Sequence, residues 1–337
     1  MKQPILTAEN LTIGYVHKKA QKVILSNLNF SLYQGEVVGL LGANGVGKST
    51  LLRTLSGVQP ELAGTISIEG KPLSSFSKNE LAQKLSLVLT DSIRQSQLTV
   101  YDLVALGRIP YTNWTGHLSP NDHQKVAEAI ALTHIQYIQE ANLDELSDGQ
   151  LQKAMIARAL AQDGEIMILD EPIAHLDIPN KLDIMKLLQN LARTTQKAII
   201  IATHELELAL QMSDKLWLLE CDSQLTVGLP EELALKGEIS KIYGTHAAHF
   251  DISQGVFKLH TEIKHHIHVK GNSAETYWTS RALEKLGIGL KDQAENSLSW
   301  HDDRLTLKWQ GNENTFNSLG EVVAFLTLDQ NEKTSSN

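Results

Sequence analysis

Between an apolar run, Val37-Val38-Gly39-Leu40-Leu41, and a helix-forming run, Leu51-Leu52-Arg53-Thr54-Leu55, the chain reads Gly42-Ala43-Asn44-Gly45-Val46-Gly47-Lys48-Ser49-Thr50. A buried strand therefore turns through a glycine-rich loop directly into a helix. Glycines let backbone wrap a small anion closely, and successive N–H groups at a helix N-terminus favour negative charge. In this context the pattern G-x-x-G-x-G-K-S-T is a cradle for nucleoside triphosphate. Gly42, Asn44, Gly45, Gly47 and Thr50 shape it, Lys48 is expected to reach the β/γ-phosphates, and the Ser49 hydroxyl is expected to bind Mg²⁺.

A length of 337 residues fits one large and one small domain. The apolar share of 42% and charged share of 20% are ordinary for soluble globular protein. No stretch approaches the ~18 consecutive apolar residues of a membrane span. Met1-Lys2-Gln3-Pro4 leads into a strand-like segment rather than a signal-peptide core, so any membrane role is expected to come through partner subunits. Cys221 is the only cysteine, which rules out an internal disulfide and agrees with a reducing cytoplasm. The net charge of −9 argues against general nucleic-acid binding.

Residues 5–41 alternate as strands over Ile5–Tyr15, Val23–Leu25, Leu28–Leu32 and Val37–Leu41, and Gly64–Gly70 is a short strand between glycines. Helical spacing begins near Val100–Leu106 and again near Asp122–Thr133, with a helix start at Ser119-Pro120. From 147 to 219 helices and strands alternate: helix 147–162, strand Ile166–Leu169, helix 180–193, strand Ala198–Ala202, helix 205–212, strand Leu216–Leu219. That alternation predicts a largely parallel sheet with helical crossovers. Residues 250–328 change character. A strand Ile263–Val269 precedes a helix Ala274–Leu286 with Ala274, Trp278, Ala282 and Leu286 on one stripe. Strands at 298–300 and 305–309 and a helix Phe316–Leu326 complete a small α+β module.

The loop alone says only that a triphosphate is bound. Its companions say more. Leu146-Ser147-Asp148-Gly149-Gln150 runs into a helix, Ile166-Met167-Ile168-Leu169-Asp170-Glu171 ends an apolar strand in two carboxylates, Ala174-His175-Leu176-Asp177 follows, and strand Ala198–Ala202 ends in Thr203-His204. In this order the set resembles the ATP-binding-cassette (ABC) ATPases over residues 4–230. The resemblance implies a P-loop α/β cassette with an antiparallel β subdomain and a helical subdomain near 90–163, within an ATP-binding domain 1–230. A linker 231–249, an accessory α+β domain 250–330 and a frayed polar tail 331–337 would follow.

A strand ending in Asp170-Glu171 at the carboxyl edge of a parallel sheet faces the phosphate loop. Asp170 is then expected to hold Mg²⁺ and Glu171 to orient and deprotonate the attacking water. By resemblance, His204, 33 residues beyond Glu171, is the switch histidine that contacts the γ-phosphate. Likewise Ser147, Gly149 and Gln150 cap the triphosphate held by a second copy, so that a homodimer sandwiches two ATP, and Asp177 is counted among the nucleotide-binding residues. Asp148 stands where a second glycine is common in that segment. Tyr15 matches the aromatic that stacks on adenine. Thr90, followed by Asp91, replaces the usual glutamine at the metal; a bridging water would be needed for its shorter reach.

Thr99–Tyr111 resembles the helical subdomain of ATPase subunits from bacterial iron-siderophore, haem and cobalamin importers. The resemblance implies a peripheral subunit on the cytoplasmic face of the inner membrane. Transmembrane permease subunits would dock on residues 90–115, with a periplasmic or lipoprotein solute-binding protein acting at one remove. Tyr101, Tyr111 and Trp114 would suit that interface if exposed. An exporter ATPase, or a soluble ABC ATPase outside transport, is the alternative. The single cassette and the lack of a long heptad insertion speak against translation and DNA-repair relatives. Six of the 13 histidines fall between His246 and His268. His266 and His268 share a strand face, a candidate transition-metal site without a cysteine or carboxylate cluster.

Overall fold

The computed structural model describes residues 3–17, 20–89, 97–113, 116–220, 224–245, 247–301 and 304–334. It divides into two units, Met1–Thr245 with Phe250–Phe257, and His246–His249 with Lys258–Asn337.

In the first unit, β1 (Leu6–His17) and β2 (Ala20–Leu32) form an antiparallel ribbon. The two strand segments expected at 23–25 and 28–32 are one strand, β2, with register shifts against β1 where the pattern breaks. Strand β3 (Val37–Gly42) runs through residues 43–47 into α1 (Lys48–Leu55). β4 (Ala63–Ile68) and β5 (Lys71–Pro72) then complete a sheet in the order β2-β1-β4-β5.

Helix α2 (Lys78–Lys84) leads to β6 (Leu85–Val88). A helical region follows: α3 (Val100–Ala105), α4 (Pro120–Leu132) and α5 (Asp148–Ala161). Thr99, Ser119 and Ser147 cap these three helices, each in a reciprocal capping box with the residue three positions on. The chain returns through β7 (Ile166–Asp170), α6 (Ile178–Thr195), β8 (Ala198–Ala202), α7 (Leu206–Met212), β9 (Lys215–Leu219) and β10 (Leu225–Gly228).

The central sheet has the order β10-β9-β3-β8-β7-β6 among the described residues, parallel except for β10. Its inner strands β3, β7 and β8 are apolar along nearly their whole length because both faces are covered. Met167, Leu169, Ile199 and Ile201 enter the core shared with the helical region. Their alternates Ile166, Ile168, Ala198 and Ile200 enter the core beneath the antiparallel sheet and α1. That two-sided burial fixes where each strand ends, and so where Asp170 and Thr203 emerge.

Residues 231–249, expected as a linker, contain α8 (Pro230–Leu235) and α9 (Glu238–Tyr243). With the hairpin of β11 (Ala248–Asp251) and β12 (Val256–Leu259) they supply residues to a separate small core around Leu41, Leu206, Leu218 and Phe250.

The second unit contains β13 (His265–Lys270), α10 (Ser273–Glu284), β14 (Ile288–Leu290), β15 (Asn296–His301), β16 (Arg304–Trp309), β17 (Asn312–Phe316) and α11 (Leu319–Thr334). Its sheet order is β14-β13-β15-β16-β17, with β13 parallel to both neighbours. Phe316, expected to open the last helix, ends β17 instead, and α11 continues through residues 331–334, assigned to the tail on composition. The stripe expected on α10 is also displaced. Thr279 and Leu283 face inward while Trp278 is exposed, because Thr279 Oγ1 accepts a 3.0 Å hydrogen bond from Trp300 Nε1.

Candidate nucleotide site

Residues 42–47 lead out of β3 with three glycines at positive φ: Gly42 at 155°, Gly45 at 78° and Gly47 at 118°. Gly47 caps α1, and a Cβ there would stand 2.7 Å from Ile24 Cγ2. No other residue type fits both the dihedral and the space. Lys48 opens the helix, and its buried ammonium donates to the carbonyls of Gly42 at 2.8 Å and Ala43 at 3.3 Å. Burial lowers the Lys48 pKa, while the carboxylates of Glu171 and Asp170 push it back up.

A cleft of about 370 Å³ lies over this loop, lined by Tyr15, Ile24, Asn44, Gly45, Gly47, Lys48, Ser49, Thr50, Asp170 and Glu171. The sheet order explains the gathering. β8 lies between β3 and β7, so the carboxyl ends of all three share one edge, and Asp170 pairs in register with Ala202. The Glu171 amide donates to the Ala202 carbonyl at 2.9 Å, and the residue sits at φ 52°, in the left-handed region that side chains ordinarily avoid. His204 Nδ1 lies 2.8 Å from Glu171 Oε2. The next residue, Glu205, is hydrogen-bonded to Lys181 in the first turn of α6.

Tyr15 stands at the rim, part exposed, with its hydroxyl 2.7 Å from Thr50 Oγ1. The antiparallel ribbon and α1 are thereby tied at the point where a flat base can lie against an open ring face. Gly42 does not line the cleft; its amide donates to the hydroxyl of Tyr243 at 2.9 Å. Nothing in the sequence pointed to Tyr243, which is 201 residues away in a short helix.

Ser147, Gly149, Gln150 and Asp177 form a second locus outside the cleft lining. The Ser147 hydroxyl accepts from the Gln150 amide, and Gln150 Oε1 accepts from the Ser147 amide. A Cβ on Gly149 would stand 2.7 Å from Asn180 Oδ1, so glycine lets α5 meet α6 near the turn that Asp177 caps. Ile178, beside Asp177, and Leu182 are exposed on α6. Thr90 and Asp91 lie outside the described residues, as does Trp114.

Tyr101 and Tyr111 turn toward partners in their own subdomain. The Tyr101 hydroxyl meets His123 Nδ1 at 2.6 Å, and the Tyr111 hydroxyl donates to the Gln162 carbonyl at 3.0 Å. Arg108 stacks on the Tyr111 ring, pairs with Asp122 at 2.8 Å and donates to the Ala161 carbonyl. Tyr111 nevertheless stays exposed, as expected, and so do the apolar Leu106 and Ile109 of the same segment. His266 and His268 do share the face of β13 opposite buried Ile267, but no group of three metal-ligating side chains occurs among the described residues.

Comparison with known proteins agrees with this geometry. Residues 25–174 match the family described as ABC transporter, and residues 264–327 match the iron ABC transporter C-terminal domain. An uncharacterised ABC transporter ATP-binding protein of Methanocaldococcus jannaschii is 34% identical over 76% of the chain and 87% of its own length. The petrobactin import ATP-binding protein FpuC of Bacillus anthracis is 34% identical over 85% of the chain and 97% of its own length. Among solved structures, a metal-chelate type ABC transporter in an inward-facing conformation superimposes with a TM-score of 0.62 at 24% identity, over 77% of the chain and 96% of that chain.

Proposed function

The chain belongs to the ABC transporter ATP-binding family, whose members are the ATPase subunits of transporters, and on that premise we propose that it powers bacterial uptake of a metal chelate of the iron-siderophore, haem or cobalamin kind. The observation that carries this reading is likeness along both parts of the chain. The petrobactin import relative spans nearly all of its own length here, and the C-terminal module matches a domain described from iron transporters.

In this reading residues 1–230 carry the ATP chemistry, and two copies work together. The loop and the Ser147 segment are separate loci in one chain, and apolar Ile178 is exposed beside the second of them. Both features suit a two-fold arrangement in which Ser147, Gly149, Gln150 and Asp177 of one copy close over the triphosphate in the other. Glu171 is the base for the attacking water, held by His204. Lys48 neutralises phosphate charge, and Tyr15 offers its ring to adenine.

The donor set also fits Mg²⁺. The Ser49 hydroxyl and the Asp170 carboxylate are hard oxygen ligands lining one cleft, and Thr90 would be a third candidate. When bound, the ion would supply charge neutralisation at the phosphate oxygens.

Among the described residues no helix is long and apolar enough to cross a membrane. The subunit would therefore sit on the cytoplasmic face, docked on separate permease subunits through the helical region, with a solute-binding protein delivering cargo from outside and no nucleic acid involved. The experiment is uptake of a radiolabelled ferric siderophore by cells lacking the chain and complemented with it. Wild type should restore uptake and Lys48→Ala should not. Undiminished uptake without the chain, across siderophore, haem and cobalamin cargo, would overturn the proposal.

A further inference from the structure

The phosphate loop has an anchor outside its own motif. The Gly42 amide is the first N–H of the loop, and it donates to the Tyr243 hydroxyl, the last residue of α9. Burial is the largest influence raising the Tyr243 pKa, and the nearby Glu171 carboxylate adds to it, against the pull of the Gly42 amide. The group is thus a neutral phenol, fit to accept from an amide.

The ring end of Tyr243 is held elsewhere. It meets Phe257 edge-on with centroids 6.3 Å apart, and Phe257 meets Phe250 at 5.4 Å. These three rings pack in the small core that also buries Leu41, immediately before the loop, and Leu206, two residues after His204. Phe250 and Phe257 flank the turn of the β11–β12 hairpin, from which the chain continues into the C-terminal module. One aromatic cluster therefore touches the start of the loop, the helix after the switch histidine and the hairpin.

We propose that Tyr243 is a positioning residue of the ATPase reaction, which fixes the first peptide of the phosphate loop and makes its position depend on the β11–β12 hairpin. The inference needs only the ATPase activity of the family and is independent of cargo.

The test uses the full chain. Tyr243→Phe keeps the ring against Phe257 and deletes the acceptor for Gly42. Losing one buried hydrogen bond is expected to raise the KM for ATP by about three- to tenfold. The value of kcat should stay within about twofold, as for a lost contact that ground state and transition state share. Phe257→Leu leaves the hydroxyl in place but loosens its support, and should raise KM in the same direction. The double variant should be no worse than Tyr243→Phe alone, because both act through one peptide. A purely structural role would instead lower the melting temperature and the active fraction at constant KM. Unchanged KM in Tyr243→Phe, or effects of the two changes that multiply, would overturn the proposal.

Discussion

His204 Nδ1 lies 2.8 Å from Glu171 Oε2, and the two residues emerge from neighbouring parallel strands, β8 and β7. The histidine therefore reads the same edge of the sheet as the carboxylate. Through Glu205 and Lys181 the contact extends to the start of α6, where Asp177 turns the chain. Glu171 with His204, and Glu205 with Lys181, are thus two adjacent hydrogen-bonded pairs, with His204 Nε2 3.7 Å from Glu205 Oε1 between them.

Glu171→Gln keeps the size of the side chain and removes its basicity. Hydrolysis should fall by about 10²–10⁴-fold, the usual worth of a general base, while ATP binding is retained. Phosphate release under single-turnover conditions, set beside equilibrium dialysis of nucleotide, separates the two quantities. A variant that turns over within tenfold of wild type would reassign the base.

Ser147→Ala deletes the cap of α5, which should cost about 1 kcal/mol of stability. It should also stop steady-state hydrolysis without weakening ATP binding by a single copy. Lys48→Ala should stop hydrolysis from the other side of the proposed sandwich. Mixing the two inactive variants should restore activity, since each mixed dimer holds one site built from an intact loop and an intact Ser147 segment. A mixture as silent as its components would contradict the trans contact.

Asp122 and Arg108 form a buried pair at 2.8 Å, both side chains nearly sealed from solvent. The Ser119 hydroxyl is the main cause of a carboxyl pKa held down to about 2, aided by the Ser119 backbone and Arg108 against burial. A depressed carboxyl stabilises the fold above its ordinary value near 4 and loses that contribution as pH falls through about 2. Asp122→Asn should cost about 3–5 kcal/mol near neutral pH, because the buried Arg108 loses its counter-charge. Urea denaturation at several pH values should show wild type and variant converging as pH drops from about 4 toward 2. A pH-independent difference would disprove the assignment.

Two histidines on one strand face, without a third ligand among the described residues, make a weak transition-metal site. Calorimetric titration of the full chain with Zn²⁺ and Ni²⁺ should show no saturable heat that disappears in His266→Ala. A saturable signal lost in that variant would establish a site on β13.

Much of the cleft edge was legible because its signals are local. Val37–Leu41, Ile166–Leu169 and Ala198–Ala202 are continuous apolar runs of strand length; the first two lead into residues that line the cleft, and the third into His204, which meets Glu171. Ser119 and Ser147 announce their helices through capping chemistry that depends on four consecutive residues. What escaped depends on long-range contact. The Tyr243–Gly42 bond joins residues 201 apart. On α10 an i, i+4 apolar stripe through Trp278 lost to a turn of the helix that lets Thr279 accept from Trp300. Phe316 went to a strand because residues 312–316 pair with β16, a partner that no periodicity names.

The left-handed backbone of Glu171 has a consequence for how such a chain changes over time. A side chain held at φ 52° costs on the order of 1–3 kcal/mol that glycine would not incur. The most comfortable occupant of this turn is therefore one without a carboxylate. With Glu171 as the proposed base, robustness and turnover would pull this position in opposite directions.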